Sequence, residues 1–442
     1  MSARSKELLG LLPVSLLVTA GFTAVLVART GANINKATLT YGAVFLGACL
    51  VGHLFIRTRL PYADPYLYPL VGLLSGFGLI EIYRISPTLA WKQATLFGVG
   101  LALFCATILF LRDYRSLERY RYTIAIVGIL LLLAPRLPGI GRATNGAYLS
   151  IGVGPVEFQP AEFAKIAIVI FLASYLNDVR DVLVRGRVPR ISIKHLGPLL
   201  AIWGLAMLML VFIRDLGSSV MFFGAFLALL YVATNRLSLV IPGLVAFVGG
   251  AAILASKIPH VHERVEAWLH PFDKHLYETP GGSYQLAQSL FAQADGGLFG
   301  RGFGQALITQ PGPGGKMTPI VPAAHTDLIY AVIVNEVGLF GGAAILVIGL
   351  LFVARGFKTA TLATDGFAKL LATGLSAVFA IQIFVIVGGV TRVIPLTGVT
   401  LPFVSYGGSS IVANFVLLAL LLIVSDRARR DPLEARGGVV AS

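Results

Sequence analysis

"LLGLLPVSLLVTAGFTAVLVA", residues 8–28, carries no charged side chain over a length that matches the roughly 20 residues a helix needs to cross a bilayer's hydrocarbon core. Eleven further apolar runs follow, near 38–56, 66–83, 89–111, 121–135, 162–176, 197–213, 216–233, 237–255, 326–354, 367–390 and 409–425. The fifth and sixth are short, and only Arg214 and Asp215 divide the seventh from the eighth. Lipid offers the backbone no hydrogen-bond partners, so such runs are read as helices. The first run lacks a small-residue cleavage site and is followed by more spans, which makes it an anchor rather than a cleaved leader.

Composition agrees. Of 442 residues, 56% are apolar and 13% charged, with mean hydropathy +0.83, whereas soluble domains are about a quarter charged. The chain is expected to be an all-α polytopic membrane protein. Its formal charge of +14 does not point to nucleic acid, because the basic residues fall in short clusters between apolar runs and no nucleic-acid motif accompanies them. Cys49 and Cys105 lie in separate runs and read as packing residues, not as a disulfide or a metal site.

The clusters assign sides. Arg4 and Lys6, Arg57 and Arg59, the group Arg112 to Arg121, the group Arg180 to Lys194, Arg355 and Lys358, and Arg427 to Arg430 all fall on one side of an alternating path. Basic short loops stay inside, so both termini are expected in the cytoplasm. Segments 29–37, 84–88, 136–161, 256–325 and 391–408 are then outside. No repeat and no convincing pair of broken helices is visible, which argues against a secondary transporter.

The outer segment 256–325 is long, polar and rich in glycine, and a loop of this size is usually functional or disordered. Its aromatic content and the stretch "YQLAQSLF", which reads as an amphipathic or re-entrant helix, predict a folded cap. "GRGFG" at 300–304 has the wrong spacing for a dinucleotide fingerprint and reads as turn glycines. Among the acids Glu263, Glu266, Asp273, Glu278 and Asp295, Asp273 follows "HPF" and is flanked by Trp268, Phe272 and Tyr277. That setting suits a carboxylate acting as general base beside a sugar ring; a loop aspartate capping a turn is the competing reading. His260, His262, His270 and His275 share the segment but match no zinc spacing.

Charges at the membrane rim are the second signal, since ionisable groups near hydrocarbon are costly. Glu162 and Lys165 in "QPAEFAK" lie three apart on one helical face and can pair. Arg214 and Asp215 mark a break between runs, "HTDLIYAVIVNE" brings His325, Thr326, Asp327 and Glu336, and Arg142 and Arg392 lie on the outer side. Pairing or helix capping accounts for each singly; together, several cations at one rim suit a lipid-linked phosphate.

"NGAYLSIGVGPVEFQPAEFAKI" (145–166), "RDLGSSV" (214–220), "YQLAQSLFAQADGGLFGRGFG" (284–304), "HTDLIYAVIVNEVGLFG" (325–341) and "TGVTLPFVSYGGSSIVAN" (397–414) resemble, in this order, the signature blocks of the SEDS family, the RodA and FtsW proteins of bacterial elongation and division. The resemblance implies a ten-helix core over 61–425 with its large outer loop at 256–325. Residues 1–60 are then two added N-terminal helices, and 426–442 a mobile cytoplasmic tail whose shortness favours the RodA branch. It implies a polymerase that joins lipid II into glycan strands with a class B penicillin-binding protein as partner, in contact with membrane lipid.

The resemblance also assigns residues. Asp273 matches the catalytic acid of the family's outer loop, with Glu278 as fallback because "HLYETP" lengthens the path to "YQ". Ser150 stands where the family has tryptophan, and Asn335 where it has an acid. Arg142, Lys165, Arg214, Arg392, Tyr284 and Gln285 are the implied substrate-binding residues, supported by Glu162, Asp215, His325, Asp327, Glu336, Ser405 and Ser409. A divalent cation, Mg2+ or Mn2+, is the implied cofactor. A lipid II flippase and a non-catalytic scaffold for a transpeptidase are the alternatives, and a flippase would need charges recurring through the full membrane thickness.

Overall fold

In a computed structural model the described residues are 2–30, 36–111, 113–137, 139–144, 147–153, 156–185, 215–279, 281–306, 308–311 and 317–440, with scattered positions between 197 and 208. Eleven of the twelve apolar runs are helices: α1 (Ala3–Thr30), α2 (Lys36–Arg59), α3 (Leu67–Ile85), α4 (Pro87–Phe110), α6 (Arg121–Leu133), α7 (Ala161–Arg185), α8 (Leu216–Thr234), α9 (Leu237–Lys257), α13 (Ile329–Leu362), α14 (Gly366–Val390) and α15 (Gly408–Val440). The twelfth run, 197–213, lies largely outside the described residues. Eight of these helices are long and apolar enough to cross a membrane. A short α5 (Arg115–Arg119) joins α4 to α6.

Local chemistry sets the helix starts. Ser86 caps α4 through its hydroxyl, followed by Pro87 at the first helical position, where a missing N–H costs nothing. Asp215 caps α8, accepting from Ser218 N at 2.9 Å. Asp365 caps α14 in the same way. Packing then orders the bundle: α14 and α15 are buried along most of their length, with α7, α8, α13 and α4 around them. No residue of α9 is buried, so that helix lies at the periphery.

Where described, the two longest segments expected outside the membrane, 136–161 and 256–325, carry secondary structure. The strands β1 (Gly141–Thr144), β2 (Ala147–Val153) and β3 (Val156–Phe158) form an antiparallel sheet, with Arg142 opposite Ser150 and Ile151 opposite Phe158. The cap is built from α10 (Pro259–Leu269), α11 (Lys274–Glu278), α12 (Tyr284–Gly296) and the hairpin of β4 (Thr309–Pro311) and β5 (Met317–Pro319). The amphipathic stretch is thus a helix, as its periodicity predicts. The strands differ from expectation: three to seven residues interrupted by Gly and Pro carry too little alternation to stand out from loop.

At the end of the bundle away from the cap, charges tie the N-terminal helix pair to the rest. Arg4 binds Glu7 and the Ala63 carbonyl, and Glu7 accepts from His53 Nδ1 at 2.8 Å. Asp64 accepts from Arg355 Nε at 2.9 Å and is bound by Arg429. Asp426 accepts from Tyr62 N and from Arg430 Nη2, both at 2.8 Å. The segment from residue 426, expected as a mobile tail, therefore begins as a continuation of α15 with its first charges engaged.

Candidate active site

Asp273 caps α11: its Oδ1 accepts from Leu276 N at 3.0 Å, and the residue is exposed. Both readings of the sequence meet here, since the residue caps a turn and also presents a carboxylate to solvent. Its neighbours are pinned. Phe272 stacks on Phe291 of α12, with centroids 5.5 Å apart. Tyr277 packs edge-on against Tyr284 at 5.1 Å, and its hydroxyl oxygen accepts from Gln288 Nε2 at 2.6 Å. Glu278 closes α11 and is likewise exposed.

The segment before Asp273 is held by Arg392, which follows α14. Arg392 Nε donates to the Trp268 carbonyl at 3.0 Å and Nη2 to the Leu269 carbonyl at 2.8 Å, while Trp268 Nε1 donates back to the Arg392 carbonyl at 3.1 Å. Arg392 adopts φ +63°, a left-handed conformation costly for a residue with a Cβ, and these bonds offset that cost. One turn earlier on α10, Arg264 Nη1 donates to the Leu396 carbonyl at 2.8 Å.

Arg264 also acts on Asp327, in the loop before α13. Burial pushes the Asp327 carboxyl up to about 6, against the opposing pull of the Arg264 guanidinium and a Thr326 hydrogen bond. The same loop is stitched to residues 397–410. Ser405 Oγ donates to the Thr326 carbonyl at 2.8 Å and accepts from Leu401 N at 2.8 Å. Tyr406 N donates to the His325 carbonyl at 2.8 Å, and the two rings meet at 5.7 Å. Burial lowers the His325 imidazole. Ser409 Oγ accepts from Gln159 N at 2.7 Å, fixing the chain just before α7.

Below this rim lies a buried polar centre. Lys165 Nζ donates to Glu162 Oε2 at 2.6 Å, to Gln382 Oε1 at 2.8 Å and to Asn414 Oδ1 at 3.3 Å, and Lys165 is only 1% exposed. Three acceptors suit the three N–H groups of an ammonium. Gln382 Nε2 continues the chain to the Thr400 carbonyl at 2.9 Å, and Thr400 Oγ1 donates to Ser410 Oγ at 2.9 Å. Asp215 stands close enough for Glu162 and Arg264 to act on it; burial raises its carboxyl, opposed by bonds from Ser218.

The implied residues thus fall into distinct groups. Asp273, Tyr284 and Gln285 lie on the cap, Arg392 is engaged by the cap's backbone, and Glu162 with Lys165 form the pair that their spacing predicts. Arg142 sits on β1 beside Glu157, at 3.2 Å. Arg214 lies outside the described residues. The cations read together as one phosphate-binding rim are therefore separated by role: Lys165 is enclosed by side chains and Arg392 is bonded to carbonyls. Glu336 is buried against Arg84. Residues not singled out from sequence complete the arrangement. Gln382 and Asn414 are amides within apolar runs, a signal that intramembrane polarity offers. Arg264 carries no such mark, because it sits in a helix with four other polar or charged residues.

Comparison with known proteins follows this layout. The family described as cell cycle protein, that of FtsW, RodA and SpoVE, matches residues 67–430. The peptidoglycan glycosyltransferase RodA of Mycobacterium tuberculosis is 40% identical, over 98% of this chain and 92% of its own length. Stage V sporulation protein E of Bacillus subtilis is 30% identical over 85% of this chain and all of its own. Among solved structures, a chain from a study of how a peptidoglycan synthase complex coordinates polymerization and crosslinking superposes with TM-score 0.67 at 26% identity, covering 83% of this chain and 98% of that one. The rod shape determining protein RodA of Thermus thermophilus superposes with TM-score 0.59 at 25% identity, covering 83% and 97%.

Proposed function

The chain belongs to the FtsW, RodA and SpoVE family and is a multi-pass membrane peptidoglycan glycosyltransferase, and we propose that Asp273 is the base of its reaction. The enzyme joins lipid II disaccharide units at the outer face of the cytoplasmic membrane, with both termini inside, by inverting displacement. The 4-hydroxyl of the acceptor sugar attacks the anomeric carbon of the donor, and the bond from that carbon to the polyprenyl pyrophosphate breaks. The hydroxyl proton passes to Asp273, and the bonding pair leaves with the pyrophosphate. A carboxylate serves once the transition state has made the hydroxyl acidic.

One observation supports Asp273 above the other acids of the cap: it is exposed, yet its direction is fixed by the α11 cap and by the Arg392 bonds just before it. Such fixing is what a base needs to meet a proton in a defined place. Arg142, exposed on β1, would help bind the pyrophosphate. Among the described residues no group of three His, Cys, Asp or Glu could hold a metal, so no step is assigned to Mg2+ or Mn2+. A class B penicillin-binding protein is the proposed partner, supported by the likeness to a chain of a peptidoglycan synthase complex. The test is glycan polymerisation from lipid II by the purified chain with that partner: Asp273→Asn should lower it by at least about a hundredfold, and full activity in that variant would remove Asp273 from this role.

A further inference from the structure

A second charged cluster lies beneath the cap, apart from the chemistry just described. Glu81 and Arg84 sit near the end of α3, and Glu336 near the start of α13. All three are buried, with Glu81 at 0% exposure. Arg84 pairs with Glu336, and its Nη2 donates to the Ala306 carbonyl. Glu336 Oε2 accepts from Gly304 N at 3.1 Å. The pair therefore grips both ends of the turn 304–306, where the cap chain returns from α12.

Backbone contacts extend the grip. Arg301 N donates to the Asn335 carbonyl and Gly302 N to the Glu336 carbonyl, both at 2.9 Å, while Leu339 N donates to the Gly297 carbonyl at 2.9 Å. Two glycines make this approach possible. Gly338 interrupts α13 with φ +77°, and Gly300 has φ +81°; a Cβ on Gly300 would lie 2.2 Å from the Glu336 carbonyl oxygen. From this seam α12 leads back to α11, through Tyr284 against Tyr277, and so to Asp273. Ala28 of α1 lies against Gly304, 3.1 Å from where a Cβ would stand, so the added N-terminal helices reach the same turn.

Glu81 is the unexplained member. Among the described residues neither carboxylate oxygen has a hydrogen-bond partner, though both are buried. The charged groups that act on it are Glu336 and Arg84. Two carboxylates facing one guanidinium leave a net negative charge in an apolar body, a costly arrangement. One proton on either carboxylate removes it.

We infer that Glu81, Arg84 and Glu336 form a clamp that positions the outer cap, with one proton neutralising the second carboxylate. The three are positioning residues, acting on the reaction only through the cap. This role rests on the proposed polymerase reading for its effect on activity, but not for the contacts themselves. Glutamine at position 81 is neutral and similar in shape to the protonated acid. It should therefore replace the protonated acid, whereas alanine leaves a hole.

The test compares Glu81→Gln, Glu81→Ala, Arg84→Ala and Glu336→Gln in the full chain reconstituted with its partner in nanodiscs. Backbone hydrogen exchange over residues 297–306 is followed alongside lipid II polymerisation. Glu81→Gln should match the parent in both. Arg84→Ala, losing charge-assisted bonds, should speed exchange in this segment by at least about tenfold, and lower kcat with little change in KM. Loss of cap protection in Glu81→Gln would show that an ionised Glu81 is required, and parental exchange in Arg84→Ala would remove the clamp; either overturns the inference. If no variant and no parent makes glycan, the proposed function fails while the exchange data still decide the clamp.

Discussion

Asp273 and Lys165 occupy opposite environments. The first is exposed on a loop and held by one backbone bond; the second is enclosed and holds three side chains from three helices. An exposed carboxylate contributes little to folding but is available to a substrate. An enclosed ammonium, fully bonded, orders the helices that form the rim above it. The contrast separates chemistry from architecture, and each half can be broken independently.

The largest effect is expected at Asp273. Asparagine caps a helix as well as aspartate does, so Asp273→Asn preserves α11 while removing the proposed base. Polymerisation should fall by about a hundredfold to ten-thousandfold, with the melting temperature unchanged. Activity retained in this variant and lost in Glu278→Gln would move the base by five positions along the chain. At Lys165 the order of effects inverts. Lys165→Met leaves Glu162 buried without its cation, and breaking a buried pair in this way costs about 3–5 kcal/mol. Unfolding in detergent should show that loss, and Glu162→Gln in the same chain should recover part of it. Parental stability with no polymerisation would instead place Lys165 in contact with substrate.

Arg392 tests the link between the two regions, since it joins the end of α14 to the segment before Asp273. Arg392→Ala removes two bonds from a charged donor to backbone carbonyls, and a loss of about tenfold in kcat is expected. Arg392→Lys should recover little of it, because an ammonium cannot reproduce the fork that reaches both Trp268 and Leu269. A variant altering KM alone would assign Arg392 to the substrate.

How far the sequence foretells this layout depends on the kind of signal. The helices are legible because lipid forces a long apolar run wherever the chain crosses, and the Glu162 to Lys165 pair follows from helical spacing. Asp273 is legible only as one of five acids until the block order is recognised. The rim of cations is not what summing charges suggests: sequence reports that Lys165, Arg142 and Arg392 exist, but their partners, Gln382, Asn414, Glu157 and the Trp268 and Leu269 carbonyls, come from positions brought together by packing. The Arg84 to Glu336 clamp is hidden for the same reason, as 252 positions separate residues 84 and 336. The strands β1 to β5 are hidden because they are short.

Asp327 offers the smallest and most exacting test, because it lies between the two environments. Its carboxyl, ordinarily near 3.8, is pushed up to about 6 by burial, with Arg264 pulling the other way. An acid raised in the folded state stabilises the fold fully below its ordinary value, and that contribution is lost as pH rises through the folded value. The protein should therefore lose stability between about pH 4 and pH 6 from this residue, by on the order of 1 kcal/mol once the solvent screening of a part-exposed group is allowed for. Asp327→Asn should remove the slope and leave a flat profile over that range. Arg264→Ala should move the fall to higher pH, since the ion that favours the charged form is gone. If instead the slope survives in Asp327→Asn, the titrating group lies elsewhere, and Asp215, also raised by burial and near Arg264, is the next residue to change.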